Sequence, residues 1–307
     1  MDEAANTLNF VSDFLGYRGR LAPSPTGLLH LGHAATFWTA YQRALRSGGA
    51  LVLRVDDLDP QRSKPEFAAA AVEDLDWLGI RWQEGPDVCG EYGPYLQSMR
   101  LPLYISALKE LIEGGFVYPC RCSRKDLTRM TQAPHDEEPL YPGTCRATAG
   151  RILFSGFGEA MLTGLSWRFR VRDGEAIEFS DGHFGRQRFV ASEDFGDFLI
   201  WRKDGVPAYQ LAVAVDDAAM KITEVVRGAD LLKATARQIL VCRALGLPEP
   251  AWFHCPLITD EHGRRLAKRH DALSIRELRA SGMKPEDVLG RAAAKVGEPN
   301  AHRGPDL

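Results

Sequence analysis

The sequence never runs apolar for the roughly 20 residues that a helix needs to cross a bilayer, and its opening, MDEAANTLNF, lacks the basic-then-apolar layout of a secretory signal. No membrane contact and a cytoplasmic location are therefore expected. Cysteine is scarce, 6 in 307 residues at uneven spacing, which argues against the disulfide framework of a small secreted domain. An excess of basic charge is missing too. The 38 Lys and Arg against 41 Asp and Glu leave a formal net charge of −3, so the chain is not built to coat nucleic acid indiscriminately. An RNA partner would have to be held locally, for example on the basic face Arg264, Arg265, Lys268 and Arg269. There is no internal repeat. What is present, 45% hydrophobic and 26% charged residues, is the make-up of a globular chain with about two structural units.

Strand and helix signals alternate from Tyr17 onward, predicting an α/β fold. YRGRLAPS reads as a short strand, LGHAATFWTAYQRALRSGG has helical spacing, and ALVLRVDD reads as a buried strand. Ser63 and Glu66 stand at capping-box spacing with Pro65 inside the first turn, opening a helix over KPEFAAAAVEDLDWLG. A further helix at about 98–113 and the strand FVYPC complete a pattern that predicts a parallel sheet with crossover helices over 17–118. Residues 119–190 differ in texture: a Pro-rich acidic loop precedes the short alternating runs SWRFRV, EAIEF and GRQRFV, as in an insertion. Over 191–262 the alternation resumes, with AYQLAVAVDD and TEVVRG expected as strands, then the helix ADLLKATARQILVCRALG and the strand FHCPLI. Residues 263–307 hold a basic loop and two modest helices, SIRELRASG and PEDVLGRAAAKVG, and residues 1–16 form an arm without an evident role.

Two clusters carry chemistry. In RLAPSPTGLLHLGHA, Pro23 and Pro25 stiffen the exit from the first strand and Gly27 permits a tight turn, while His30 and His33 are spaced to share one helical face. Ligands of open parallel sheets sit beyond the strands' carboxyl ends, where helix N-termini favour phosphate, and Gly32 would let a nucleotide approach the backbone. The bland alternative is a capped helix with two surface histidines. The second cluster is Cys120-x-Cys122, eighteen residues, then Tyr141-x-x-x-Cys145: three thiols and a phenolic oxygen that suit tetrahedral zinc. Its alternative is a hairpin of reduced cysteines, with His135 or water completing an adventitious site. Cys89, Cys242 and Cys255 read as packing or surface positions.

APSPTGLLHLGHA resembles the first ATP-binding motif, the "HIGH" element, of class I aminoacyl-tRNA synthetases in the form used by the glutamyl and glutaminyl branch. LRVDDLDPQR, YLQSMR, PAYQLAVAVDD, VVRGADLL and RRLAKRHD follow in the order of that branch, so that the resemblance covers about 17–280. It implies a Rossmann-like catalytic domain with an acceptor-type insertion, in which ATP with Mg2+ adenylates an amino acid. His30, Gly32, His33 and Lys268, the last in the place of the second lysine of the "KMSKS" loop, would hold ATP; His30, His33 and Lys268 would stabilise transition-state charge. Arg20 and Arg227 match the family's substrate arginines, Ser24 and Tyr209 its hydroxyl contacts, and Asp56 the carboxylate that faces the substrate ammonium; Leu21, Ala22 and Pro23 belong to the same substrate segment. The implied amino acid is L-glutamate. Asp56 departs from the family's usual Glu by one methylene, and in the basic loop Arg265 and Ala267 replace the usual lysine and serine. The Cys-x-Cys, Tyr-x-x-x-Cys layout is similar to that of glutamyl-queuosine tRNA(Asp) synthetases, which implies one structural zinc on Cys120, Cys122, Tyr141 and Cys145. About 27 residues follow the resemblance, so no anticodon-binding domain is expected. The implied partner is queuosine-containing tRNA(Asp), bound by a monomer. The alternatives are a truncated glutamyl-tRNA synthetase charging tRNA(Glu) and a non-catalytic RNA-binding relative.

Overall fold

Strand β1 (Arg18–Leu21) is buried along its whole length and lies parallel to β2 (Ala50–Leu53), in register from Arg18 opposite Ala50 to Leu21 opposite Leu53. These coordinates come from a computed structural model that describes residues 16–122, 126, 140–148, 158, 161–258 and 273–296. The crossover between the two strands is helix α1 (Leu31–Arg46), which turns Ala34, Phe37, Ala40 and Ala44 onto the sheet. Gly49 lets the chain return: a Cβ there would stand 2.3 Å from the Tyr17 carbonyl.

Helix α2 (Pro65–Trp77) starts differently from the expected capping box. Its N-cap is Lys64, with no side-chain cap, and the Ser63 hydroxyl is buried without a hydrogen-bond partner. Pro65 explains the shift: it occupies the first helical turn and holds the residue before it extended, so the cap falls one residue later than the Ser63 spacing implied.

Helix α3 (Leu101–Glu113) leads to β3 (Val117–Cys120), which does not extend the parallel sheet as expected. It runs antiparallel to β4 (Ser166–Phe169), itself antiparallel to β7 (Phe198–Trp201). Aromatic packing holds this second sheet: the Phe169 and Phe198 rings stack at 5.1 Å, and fully buried Trp167 and Trp201 donate their indole N–H groups to the Met161 and Leu162 carbonyls. Between β3 and β4 lies the short helix α4 (Thr144–Thr148).

A third sheet has the order β6-β5-β9-β8. Strands β5 (Ala176–Asp181) and β6 (Gly185–Val190) form a hairpin, and β5 touches β9 (Ala251–Cys255) in parallel through Asp181 and Trp252. Strand β8 (Glu224–Gly228) runs parallel to β9 on its other side. β8 also lies beside β1, tied by the Thr223 N–H to the Arg18 carbonyl (2.9 Å) and by Arg20 Nη1 to the Val226 carbonyl (2.8 Å). Parallel and antiparallel pairs thus make an α/β fold with mixed sheets.

The expected strand AYQLAVAVDD is instead helix α5 (Tyr209–Ala219), in which Leu211 through Ala218 are all buried. Burial on every side erases the periodicity that separates helix from strand. Helix α6 (Leu232–Ala244) packs against it, and α7 (Ile275–Ala280) and α8 (Pro285–Val296) close the far side. Ser274 and Glu277 form a capping box on α7. Two large apolar cores result, one around Tyr104, Trp167, Trp201 and Ile239, the other around Leu21, Leu53, Phe253 and Val288. Each fully buried Leu or Phe contributes about 2 kcal/mol. Among the described residues no helix is long and apolar enough to cross a membrane.

Candidate functional site

A cleft of about 390 Å³ opens beyond the carboxyl ends of β1, β8 and β9, at the N-terminus of α1. His30 is the N-cap of α1: its Nδ1 accepts from the Gly32 N–H (3.1 Å), while His33 Nδ1 accepts from the His30 N–H (3.2 Å). This reciprocal cap brings the ring centroids to 3.9 Å. It also sets the chemistry, because a ring nitrogen that accepts a backbone N–H has no proton, so each neutral imidazole carries its proton on Nε2. Both rings line the cleft as donors suited to anionic oxygen. The missing Gly32 side chain serves this cap directly, since a Cβ would meet the His30 ring at 3.0 Å.

Arg20 and Arg227 form the opposite pole. Arg227 is 4% exposed, and Trp252 underlies its guanidinium at 5.0 Å. Its Nε donates to His254 Nε2 (3.1 Å), Nη1 to Gln238 Oε1 (2.8 Å) and, more weakly, to the Tyr209 hydroxyl (3.5 Å), and Nη2 to Thr235 Oγ1 (2.6 Å). Every one of these acceptors is neutral. Among the described residues no carboxylate lies within 4.0 Å of the Arg227 guanidinium, and burial without a counter-ion pushes its pKa below the ordinary value. Arg20 is also buried, with Nε lacking a hydrogen-bond partner and Asp217 standing 3.6 Å away. A buried cation without a matched anion is costly, and Arg227 in this setting is suited to take a carboxylate.

Asp56 lines the same cleft. Its N–H bonds the Pro23 carbonyl (3.0 Å), and Arg54 holds its carboxylate through Nε (2.7 Å) and Nη2 (3.4 Å). Arg54 has no exposed surface and also binds Asp217 (2.7 Å). Burial raises Asp56 to about 6 despite the pull of Arg54. Ala22, Pro23, Ser24 and Tyr209 line the cleft as well, whereas Leu21 points into the core with no exposed surface and does not. Lys268, with Arg265 and Ala267, lies outside the described residues, as does His135.

The thiols of Cys120, Cys122 and Cys145 come within 4.8 Å of one another. Cys122 and Cys145 Sγ are 3.6 Å apart, and the Tyr141 hydroxyl is 3.4 Å from Cys120 Sγ and 3.7 Å from Cys122 Sγ. A tetrahedron with metal–sulfur bonds of 2.3 Å and a metal–oxygen bond near 2.0 Å has edges of about 3.8 and about 3.5 Å, so the donor set fits zinc. Arg168 supports it from behind, donating Nε to Cys120 Sγ (3.3 Å) and lying 3.9 Å over the Tyr141 ring. Burial lifts the Cys122 thiol to about 11; for Cys145 burial is outweighed by hydrogen bonds from Tyr141 and the Arg121 N–H, leaving it at about 7.

With this geometry in view, residues 17–300 match the family described as tRNA synthetases class I (E and Q), catalytic domain. The chain belongs to that family. It is 49% identical over 278 residues to the Glutamyl-Q tRNA(Asp) synthetase of Symbiobacterium thermophilum, covering 90% of this chain and 85% of that protein. The protein of the same name from Nitratidesulfovibrio vulgaris is 47% identical, with 91% and 86% covered. The solved glutamate-tRNA synthetase of Elizabethkingia anophelis superposes with a TM-score of 0.71 at 28% identity, over 87% of this chain; the chain spans about half, 54%, of that longer protein.

Several cleft residues were not singled out in the sequence: Thr36, Asp230 and the segment Pro256–Ile258. The last was within reach, because the carboxyl end of the final parallel strand belongs at the ligand edge of such a sheet. His254, Thr235 and Gln238 gave no signal of their own, since each contacts Arg227 and none lines the cleft.

Proposed function

We propose that the protein activates L-glutamate with ATP and transfers it to the queuosine base in the anticodon of tRNA(Asp). The observation that carries the amino-acid part is that one cleft joins the buried Arg227, with no carboxylate within 4.0 Å among the described residues, and the buried Arg20, whose nearest carboxylate, Asp217, is shared with Arg54, to the imidazoles of His30 and His33. A dicarboxylic amino acid bridges these poles. Arg227 and Arg20 take carboxylate, with Ser24 and Tyr209 as hydroxyl contacts, and Asp56 accepts the ammonium directly or through water. The free α-carboxylate oxygen attacks the α-phosphorus of ATP, pyrophosphate leaves, and charge accumulating on the phosphate oxygens is met by His30 and His33. Lys268 would hold the phosphates of ATP, which would enter as its Mg2+ complex, and Ala22, Pro23 and Gly32 form the adjoining wall. In the second step a hydroxyl of the queuosine cyclopentene ring attacks the adenylate carbonyl and AMP leaves.

The acceptor is supported by the names of the two relatives at 49% and 47% identity. Cys120, Cys122, Tyr141 and Cys145 would hold one zinc ion with a structural part, tying α4 to the end of β3 rather than taking part in acyl transfer. Glutamate-dependent ATP–pyrophosphate exchange without tRNA tests the activation step: exchange with glutamate and not with aspartate or glutamine is expected, and its absence overturns the proposal. Charging of tRNA(Glu) is the second reading, favoured by the structural likeness to a glutamate-tRNA synthetase.

A further inference from the structure

Arg227 is held by an unusual neighbour. Its Nε carries a hydrogen and can only donate, so His254 Nε2, 3.1 Å away, must be an acceptor. The His254 proton therefore sits on Nδ1, which donates to Asp181 Oδ2 at 2.6 Å. Asp181 is itself locked: Oδ1 accepts the N–H groups of His183 (3.0 Å) and Phe184 (2.8 Å), and Oδ2 accepts the His254 N–H (3.1 Å) as well as the ring. His254 has no exposed surface, and both its ring nitrogens have partners, Thr235 Oγ1 standing 3.0 Å from Nε2. The chain of contacts runs from the turn between β5 and β6, through β9, to the arginine on β8.

We propose that Asp181 and His254 are positioning residues that aim the Arg227 guanidinium at the substrate carboxylate while leaving its charge unspent. This rests on the reading of Arg227 as a glutamate-binding residue. A carboxylate placed directly on Arg227 Nε would orient it equally well but would neutralise it and compete with the substrate. Neutral imidazole supplies an acceptor without that competition, and Asp181, one residue removed, fixes the tautomer that makes it one. The hairpin β5–β6 thereby gains a part in amino-acid recognition although none of its residues lines the cleft.

The test is steady-state ATP–pyrophosphate exchange with D181N, H254L, H254Q and R227A, with the thermal unfolding midpoint recorded for each. In D181N the single carbonyl oxygen satisfies the His183 and Phe184 N–H groups, so the amide NH2 faces His254 Nδ1 and also opposes the His254 backbone N–H, a local cost that the unfolding midpoint records. That drives the ring proton to Nε2, where it meets the Arg227 Nε–H. D181N and H254L should raise KM for glutamate about tenfold or more, the loss expected when one hydrogen bond to a charged group is misdirected, with kcat and KM for ATP within about twofold. H254Q, whose Oε1 reaches toward Arg227, should recover most of that loss whatever its midpoint. An unchanged KM for glutamate in D181N and H254L, when R227A does raise it, overturns the positioning role alone. An unchanged KM in R227A overturns the assignment of Arg227 and this proposal with it. Equal rises for ATP and glutamate, with H254Q no better than H254L, indicate a purely structural pair and also overturn it.

Discussion

Replacing Arg227 with alanine removes a 4%-exposed guanidinium whose donors are spread over His254, Gln238, Thr235 and Tyr209. Two losses follow, and they fall on different observables. The four acceptors keep one another as partners only in part, which lowers stability by about 1–3 kcal/mol through unsatisfied buried polar groups. Binding loses a charge-assisted contact to a carboxylate in a desolvated site, about 3 kcal/mol, or roughly 10² in KM for glutamate. The reacting carboxylate must lie beside the imidazoles and ATP, so the one gripped by Arg227 on the inner wall is a spectator. Its contact is present in ground and transition states alike, and its loss belongs in KM more than in kcat. Pyrophosphate exchange at varied glutamate and fixed saturating ATP, then the reverse, separates the two. A matching rise in KM for ATP, or a fall in kcat with KM for glutamate untouched, would refute this reasoning.

His30→Ala or His33→Ala should slow adenylate formation by about 10² with little change in KM for glutamate, because one lost donor to transition-state charge costs about 3 kcal/mol; single-turnover exchange measures it, and a near-normal rate removes these rings from the reaction. Asp56 titrates at about 6, so as pH falls through that value the carboxylate takes up a proton and loses its attraction for the substrate ammonium. KM for glutamate should therefore climb below pH about 6, and the climb should vanish in Asp56→Asn, whose KM is high throughout. Cys122→Ser or Cys145→Ser should lower bound zinc from one equivalent toward none by elemental analysis and lower the unfolding midpoint; full zinc content in both variants would contradict the donor set.

How much of this was legible in the sequence depended on the range of the interactions involved. The i, i+3 spacing placed His30 and His33 together on one helical face; they do meet, but His30 is the extended N-cap rather than a helical residue, and the cap brings the rings together. Their tautomers were not legible, because these depend on a cap in which each ring serves the other's backbone. The thiol spacing pointed to one cluster, yet Arg168, 48 residues from the Cys120 it supports, could not be read from it. Helix α5 was misread as a strand since burial on all sides leaves no polar face to mark a period. Ser63 failed as a cap because Pro65, adjacent to Lys64, dictated the local backbone. The Asp181–His254 pair joins residues 73 apart on neighbouring strands, and strand order is a property of the whole sheet.

The central claim, glutamate placed on the queuosine base of tRNA(Asp), is tested most directly by following labelled glutamate. The protein would be incubated with ATP and magnesium and with one of three RNAs: queuosine-containing tRNA(Asp), the same tRNA with guanosine at that position, or tRNA(Glu). The account predicts label on the queuosine-containing tRNA(Asp) alone, retained after removal of the terminal adenosine. Label on tRNA(Glu), or equal label on both forms of tRNA(Asp), would contradict it.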